Sequence, residues 1–183
     1  MPNLNTKKIV ITGGPGTGKS SIVNELMRRD FHCFEEISRA VILKAREDGI
    51  EQLFLTDPLK FSELLLHGRI DQFRSADALD KPQVFIDRGI PDVLAYMDYI
   101  GDSYPQYFVD ACQEHIYDQV FILAPWQEIF RSDNERYENF EQAIRIHEYL
   151  LKTYDHFNYK LLDVPFGPVK NRADFILNAM LTK

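Results

Sequence analysis

Residues 7–26 read KKIVITGGPGTGKSSIVNEL, and the middle of this stretch constrains the chain more than any other feature. Four glycines and a proline stand between a short β-branched run and a helix-like pattern. Glycine weakens any regular element that holds it, so backbone this bare serves a conformation or a close approach that side chains would block. GGPGTGKS fits G-x-x-x-x-G-K-[ST], with a strand before it and a helix after it, the context the motif needs. The chemistry it points to is phosphate binding. A loop of Gly13, Gly14, Pro15, Gly16, Thr17 and Gly18 can turn its N–H groups inward around a phosphate. The helix opening at Lys19, Ser20 and Ser21 adds free N–H groups and the positive end of its dipole. Lys19 is expected to reach the β- and γ-phosphates, and the Ser20 hydroxyl to ligate Mg²⁺.

Five short apolar runs read as strands: 8–12, 31–36, 83–87, 119–124 and 159–164. Most are continuous rather than alternating, as strands buried on both faces are. Helical patterns lie between them. Residues 19–29 put Ile22, Val23 and Leu26 on one face, and 38–48 end at Gly49. A third pattern starts with Asp57 as N-cap and Pro58 at the first helical position. A long one runs from Asn134 to His156, with Phe140, Ile144, Leu151 and Tyr154 on its stripe, and Pro168 opens the last. Strand and helix alternate without repeat or linker, which predicts an α/β fold with a parallel sheet and a single domain over 1–183.

A formal charge of −7 and a pI near 5.2 exclude a generally basic surface, and with it broad nucleic-acid or anionic-membrane binding. Cys33 and Cys112 form neither a ligand-spaced pair nor a disulfide framework and read as small core residues. Only three apolar residues follow MPNLNTKK before Thr12, so no secretory leader is expected. No run approaches the ~20 apolar residues of a membrane span, and the expected location is cytoplasmic.

Asp87 ends the hydrophobic strand QVFID. Ligands gather at the carboxyl ends of parallel strands, where an aspartate holds the Mg²⁺ shell as a Walker B residue does. Glu35 and Glu36 end the second strand and point to opposite faces, so one can serve the phosphate site while the other is solvated. Both can equally cap the following helix. Residues 125–140 form a candidate lid in which Arg131, Asp133 and Arg136 fall within six residues. Arginines aimed at a γ-phosphate neutralise transition-state charge. From spacing alone this stretch reads as a solvated, salt-bridged helix face. Trp126 reads as packing or as a neighbour of base or acceptor. Arg69, Gln72 and Arg74 precede the third strand as surface charge or as an acceptor pocket. VPFGPVKNR, after the fifth strand, is either a plain connection or a loop around a nucleotide base. No histidines pair for a metal site.

With these motifs assembled, GGPGTGK resembles the phosphate loop of small nucleotide and nucleoside kinases. The order GGPGTGKS, EISR, FIDRG-PDVLAY, W-IFRSDNER and VP-P-VKNRADFIL is similar to the AAA-domain family of small P-loop ATPases, which borders the ribosylnicotinamide-kinase domain. The likeness covers nearly the whole chain. It implies a three-layer P-loop NTPase fold with strand order 2-3-1-4-5, Asp87 as the Mg²⁺-side carboxylate, and Glu36 with Arg39 on the acceptor side. It also implies Arg131 and Arg136 in a lid. Arg69 and Arg88 complete the expected acceptor-binding set. Gly89 departs from typical nucleoside kinases, so the acceptor class stays open. No Asn-Lys-x-Asp loop is present, which favours ATP over GTP. The expectation is a Mg·ATP-dependent phosphotransferase on a small acceptor, with a nucleotide-dependent switch that hydrolyses slowly as the alternative. Neither nucleic acid nor membrane is an expected partner.

Overall fold

The structure, a computed structural model, describes residues 6–131 and 138–181. Five strands form one parallel sheet: β1 (Lys7–Gly13), β2 (Cys33–Phe34), β3 (Gln83–Asp87), β4 (Gln119–Leu123) and β5 (Leu161–Asp163), in the order β2-β3-β1-β4-β5. Eight helices lie among the described residues: α1 (Lys19–Arg28), α2 (Ser38–Glu47), α3 (Leu53–Thr56), α4 (Pro58–Asp77), α5 (Pro91–Ile100), α6 (Tyr107–Glu114), α7 (Phe140–His156) and α8 (Val169–Leu181).

The period-2 alternation of the strands sorts the core into two layers. Val10, Val84, Ile86, Val120 and Ile122 face the helices α4 to α7. Ile9, Ile11, Phe85, Phe121 and Leu123 face α1 and α8, meeting Ile22, Leu26 and Ile176. Helices therefore cover both faces, which is why the strands read as continuous apolar runs. This is the three-layer P-loop NTPase fold, with the expected strand order.

Four details differ from the sequence reading. The second strand shrinks from 31–36 to Cys33–Phe34, an edge strand paired only with β3. Helices α5 and α6 were not legible between β3 and β4. Most of α5 is buried, at Pro91, Asp92, Val93, Leu94, Ala95 and Met97, so it shows no amphipathic period. Helix α7 starts at Phe140 rather than Asn134, because Asn139 and Gln142 form a reciprocal capping box there. Its buried face is Ala143, Ile146, Leu150, Thr153 and Tyr154, whereas Ile144 and Leu151 lie on the exposed side. Cys112 is a core residue and Cys33 is half-buried. Among the described residues no helix is long and apolar enough to cross a membrane.

Candidate active site

The register aligns Ile11 of β1 with Asp87 of β3, so the aspartate ends its strand just before the glycine loop begins. The loop is braced from within by Thr17, whose Oγ1 donates to the Gly14 carbonyl at 3.0 Å. Gly18 takes a left-handed backbone at the N-cap of α1. Lys19 Nζ pairs with Asp87 Oδ1 at 2.7 Å, and the two side chains are only 8% and 4% exposed. Burial and the nearby Arg88 push the Lys19 pKa down, while Asp87 and Glu36 pull against that shift. Ser20 and Ser21 stand exposed beside this pair.

Glu36 resolves the choice left open by the strand end. Glu35 is exposed and lends only its carbonyl, to Gln72 Nε2, whereas Glu36 turns inward. Arg88 Nε lies 2.5 Å from Glu36 Oε2, and Arg69 Nη2 donates to Oε1 at 3.2 Å. The Ser38 N–H caps the same oxygen. Burial opposes the charge on Glu36, but Arg69, Arg88 and Lys19 overcome it and hold the carboxyl down at about 2. Arg69 is therefore no surface charge. It is 3% exposed and also donates to the Gly89 carbonyl at 3.0 Å. Arg74 and Arg39 are exposed. Arg131 is exposed, while Asp133 and Arg136 lie outside the described residues.

Sequence reasoning missed the carboxylate beneath this cluster. Asp92, 0% exposed, accepts from Thr12 Oγ1 and Tyr154 OH, both at 2.5 Å, and from the Gly89 N–H at 2.9 Å. Arg88 Nη1 is 3.4 Å away. Asp92 thus ties β1, the β3–α5 turn and α7 to one point. The turn needs that tie, since Arg88 holds a left-handed φ of 72°. Gly89 follows from packing, because a Cβ there would sit 2.7 Å from Tyr154 OH. The signal was present in IPDVLAY: a lone acid inside an apolar run implies a buried partner.

A cleft of about 830 Å³ opens beside the glycine loop, walled by Gly16, Gly18 and Ser21 on one side and by Trp126, Pro168 and Arg172 on the other. The segment after β4 folds back here, Phe130 N–H donating to the Trp126 carbonyl. Phe130 lies directly against Gly16, which has a φ of +71° and whose Cβ, if present, would fall 2.5 Å from the ring. Gly16→Ala is therefore expected to lose about 1–2 kcal/mol from left-handed backbone alone, read from urea denaturation. Phe130→Ala in the same chain should relieve the ring clash but not this backbone share. An unchanged midpoint for Gly16→Ala contradicts the loop geometry.

Among the described residues no cluster of three histidine, cysteine or acidic side chains is arranged to hold a metal. The oxygen donors that are present, Asp87 and the exposed Ser20 hydroxyl, suit Mg²⁺, which binds through one or two protein oxygens and completes its shell with phosphates and water.

Residues 8–172 match the family model described as AAA domain. Among solved structures, the chain is similar to deoxyadenosine kinase from M. mycoides, with TM-score 0.69 and 18% identity over 96% of this chain and 100% of that one. It is similar to NadR protein in complex with NR, with TM-score 0.74 and 16% identity over 96% of this chain and 50% of that one, so it spans about half of NadR. Thymidylate kinase from Candida albicans aligns with TM-score 0.70 and 14% identity, over 97% of this chain and 92% of that one. At such identities the likeness carries the fold alone. No curated protein matches the sequence.

Proposed function

The chain belongs to the AAA-domain family, and we propose that its 183 residues act as a single-domain, Mg·ATP-dependent phosphotransferase on a small, nucleoside-like acceptor. One observation carries the reading. The Lys19–Asp87 pair stands next to a second, partly buried carboxylate, Glu36, fixed by two arginines. Nucleotide binding and slow hydrolysis need the first pair only; a second, rigid acceptor-side carboxylate suits a substrate hydroxyl. The kinases with this fold act on nucleosides and nucleotides by their names, which supports the choice of acceptor class.

In this account the loop 13–20 holds the β- and γ-phosphates, with Lys19 leaving Asp87 for them when nucleotide enters. Ser20 and Asp87 would hold Mg²⁺, which supplies charge neutralisation on the phosphates. Glu36, ionised at any physiological pH, accepts a hydrogen bond from the acceptor hydroxyl and orients it. Its low pKa makes it a weak base, which suffices because a loose phosphoryl transition state asks little proton removal of the enzyme. Arg69 and Arg88 keep Glu36 in place, and Arg39 is assigned to the acceptor side. Arg131 and Arg136 close over the transferring group and exclude water. The base lies in the cleft beside Trp126, towards the loop after β5. We assign the protein to the cytoplasm, with a small-molecule acceptor rather than nucleic acid or membrane as partner.

The contact of Phe130 with Gly16 favours a second reading, a switch in which nucleotide displaces the lid stem and a protein partner reads the change. The two part on acceptor dependence. ADP release from Mg·ATP is measured with nucleosides, nucleotides and nicotinamide riboside, for wild type and Glu36→Gln. The kinase reading expects Glu36→Gln to lower acceptor-dependent turnover by about 10²-fold and basal hydrolysis by far less. Equal loss of both, or no acceptor effect in wild type, favours the switch.

A further inference from the structure

Among the described residues Arg172 is the largest fully buried side chain, 2% exposed in the first turn of α8. Among the described residues no carboxylate pairs with it, and burial alone moves its pKa below the ordinary value. Its Nε donates to the Pro165 carbonyl at 3.1 Å, and its Nη1 to the Thr17 carbonyl of the glycine loop at 3.0 Å. Nη2 is buried without a partner. The guanidinium faces the Trp126 ring at 5.6 Å, and Trp126 stacks on Phe166 with centroids 4.9 Å apart and planes within 20°.

A brace between two loops needs only the two carbonyl bonds. A buried guanidinium without counter-charge is a costly way to make them, and the surplus donor in the wall of a cleft calls for an acceptor. Phosphates are served by the loop amides and Lys19. The wall beside Arg172 is aromatic and flat, which suits a heteroaromatic ring carrying acceptor atoms. A ring held between Trp126 and Phe166 needs a gap of about 7 Å, two van der Waals separations, so the stacked pair has to part to admit it beside the guanidinium.

We propose that Arg172 is the specificity-determining residue for the nucleobase: the base enters between Trp126 and Phe166, and Nη2 donates to one of its ring acceptors. This rests on the phosphate-loop reading above. Binding of Mg·ATP and of Mg·tripolyphosphate, which lacks base and sugar, is measured by calorimetry on wild type, Arg172→Met and Arg172→Lys. Fluorescence of Trp126, the single tryptophan, is followed in parallel. The preference of wild type for ATP over tripolyphosphate is expected to fall about 10-fold or more in Arg172→Met. Arg172→Lys should recover little of it, since an ammonium lacks the planar fork, and this variant decides the matter if the methionine protein does not fold. ATP should change Trp126 fluorescence, and tripolyphosphate should not. An equal loss of both ligands makes Arg172 a brace on Thr17 and overturns the proposal, as does ATP that binds without moving Trp126. If wild type binds neither ligand, the phosphate-loop reading falls and takes this proposal with it. If it binds both equally, only the base site falls.

Discussion

Lys19→Ala is expected to lower ATP turnover by about 10³-fold, the loss that follows removal of a preorganised charge at the transferring group. In the structure Lys19 neutralises Asp87, and both are nearly closed to solvent. The substitution therefore acts twice. It strips the β/γ-phosphates of their cation, and it leaves a buried carboxylate facing the incoming phosphates without an intervening charge. Mg·ATP affinity should drop as well as kcat. Lys19→Arg is expected to rescue poorly, because the guanidinium is too broad for a pocket shaped around an ammonium. The check is steady-state ADP release, with urea denaturation of each variant to separate lost chemistry from lost fold. A loss below about tenfold contradicts the assignment of Lys19 to the phosphates.

Asp92→Ala should cost about 3–5 kcal/mol of stability, read from urea denaturation at neutral pH. The carboxylate is wholly buried and accepts from Thr12, Tyr154 and the Gly89 backbone. Removing it leaves all three donors in an apolar layer with nothing to bond, and each unsatisfied group costs about 1–3 kcal/mol. The penalties overlap because the site can relax. A domain of this size has a total stability of about 5–15 kcal/mol, so the variant sits near unfolding at ordinary temperatures. Tyr154→Phe, which removes one donor and leaves the others paired, should cost only about 1 kcal/mol. Asp92→Ala should also release the left-handed turn at Arg88 and with it the clamp on Glu36. A cost below about 1 kcal/mol contradicts the network.

The parts of the fold that were legible had either a chemical signature or a period. GGPGTGKS names its own conformation, and the continuous runs at β1, β3 and β4 could only be strands with helices on both sides. Helix α5 was hidden because a helix buried on most sides carries no polar stripe to reveal it. Helix α6 was hidden because its single stripe, Phe108, Ala111 and Cys112, spans only eight residues. The stripe on α7 was right at Tyr154 but wrong at Ile144 and Leu151, which lie outward while Ala143, Ile146 and Leu150 lie inward. Its start at Asn134 overran the capping box that opens the helix at Phe140. In the site, Asp87 was visible as an acid ending a strand, and Glu36 as one of two. Asp92 and Arg172 were not singled out, because their meaning depends on residues far away in the chain. Arg172 nonetheless shares a face with Ile176 and Met180, four and eight residues on, and a charge on that buried stripe was the available sign.

The fate of the γ-phosphate tests the central claim most directly. The protein is incubated with Mg·ATP labelled at that phosphate and a panel of nucleosides, nucleotides and nicotinamide riboside, and the label is followed to its product. The account predicts that label passes to one acceptor class and that little appears as inorganic phosphate while that acceptor is present. Label found only as inorganic phosphate, at a slow rate that no acceptor changes, contradicts a phosphotransferase and leaves a nucleotide-dependent switch.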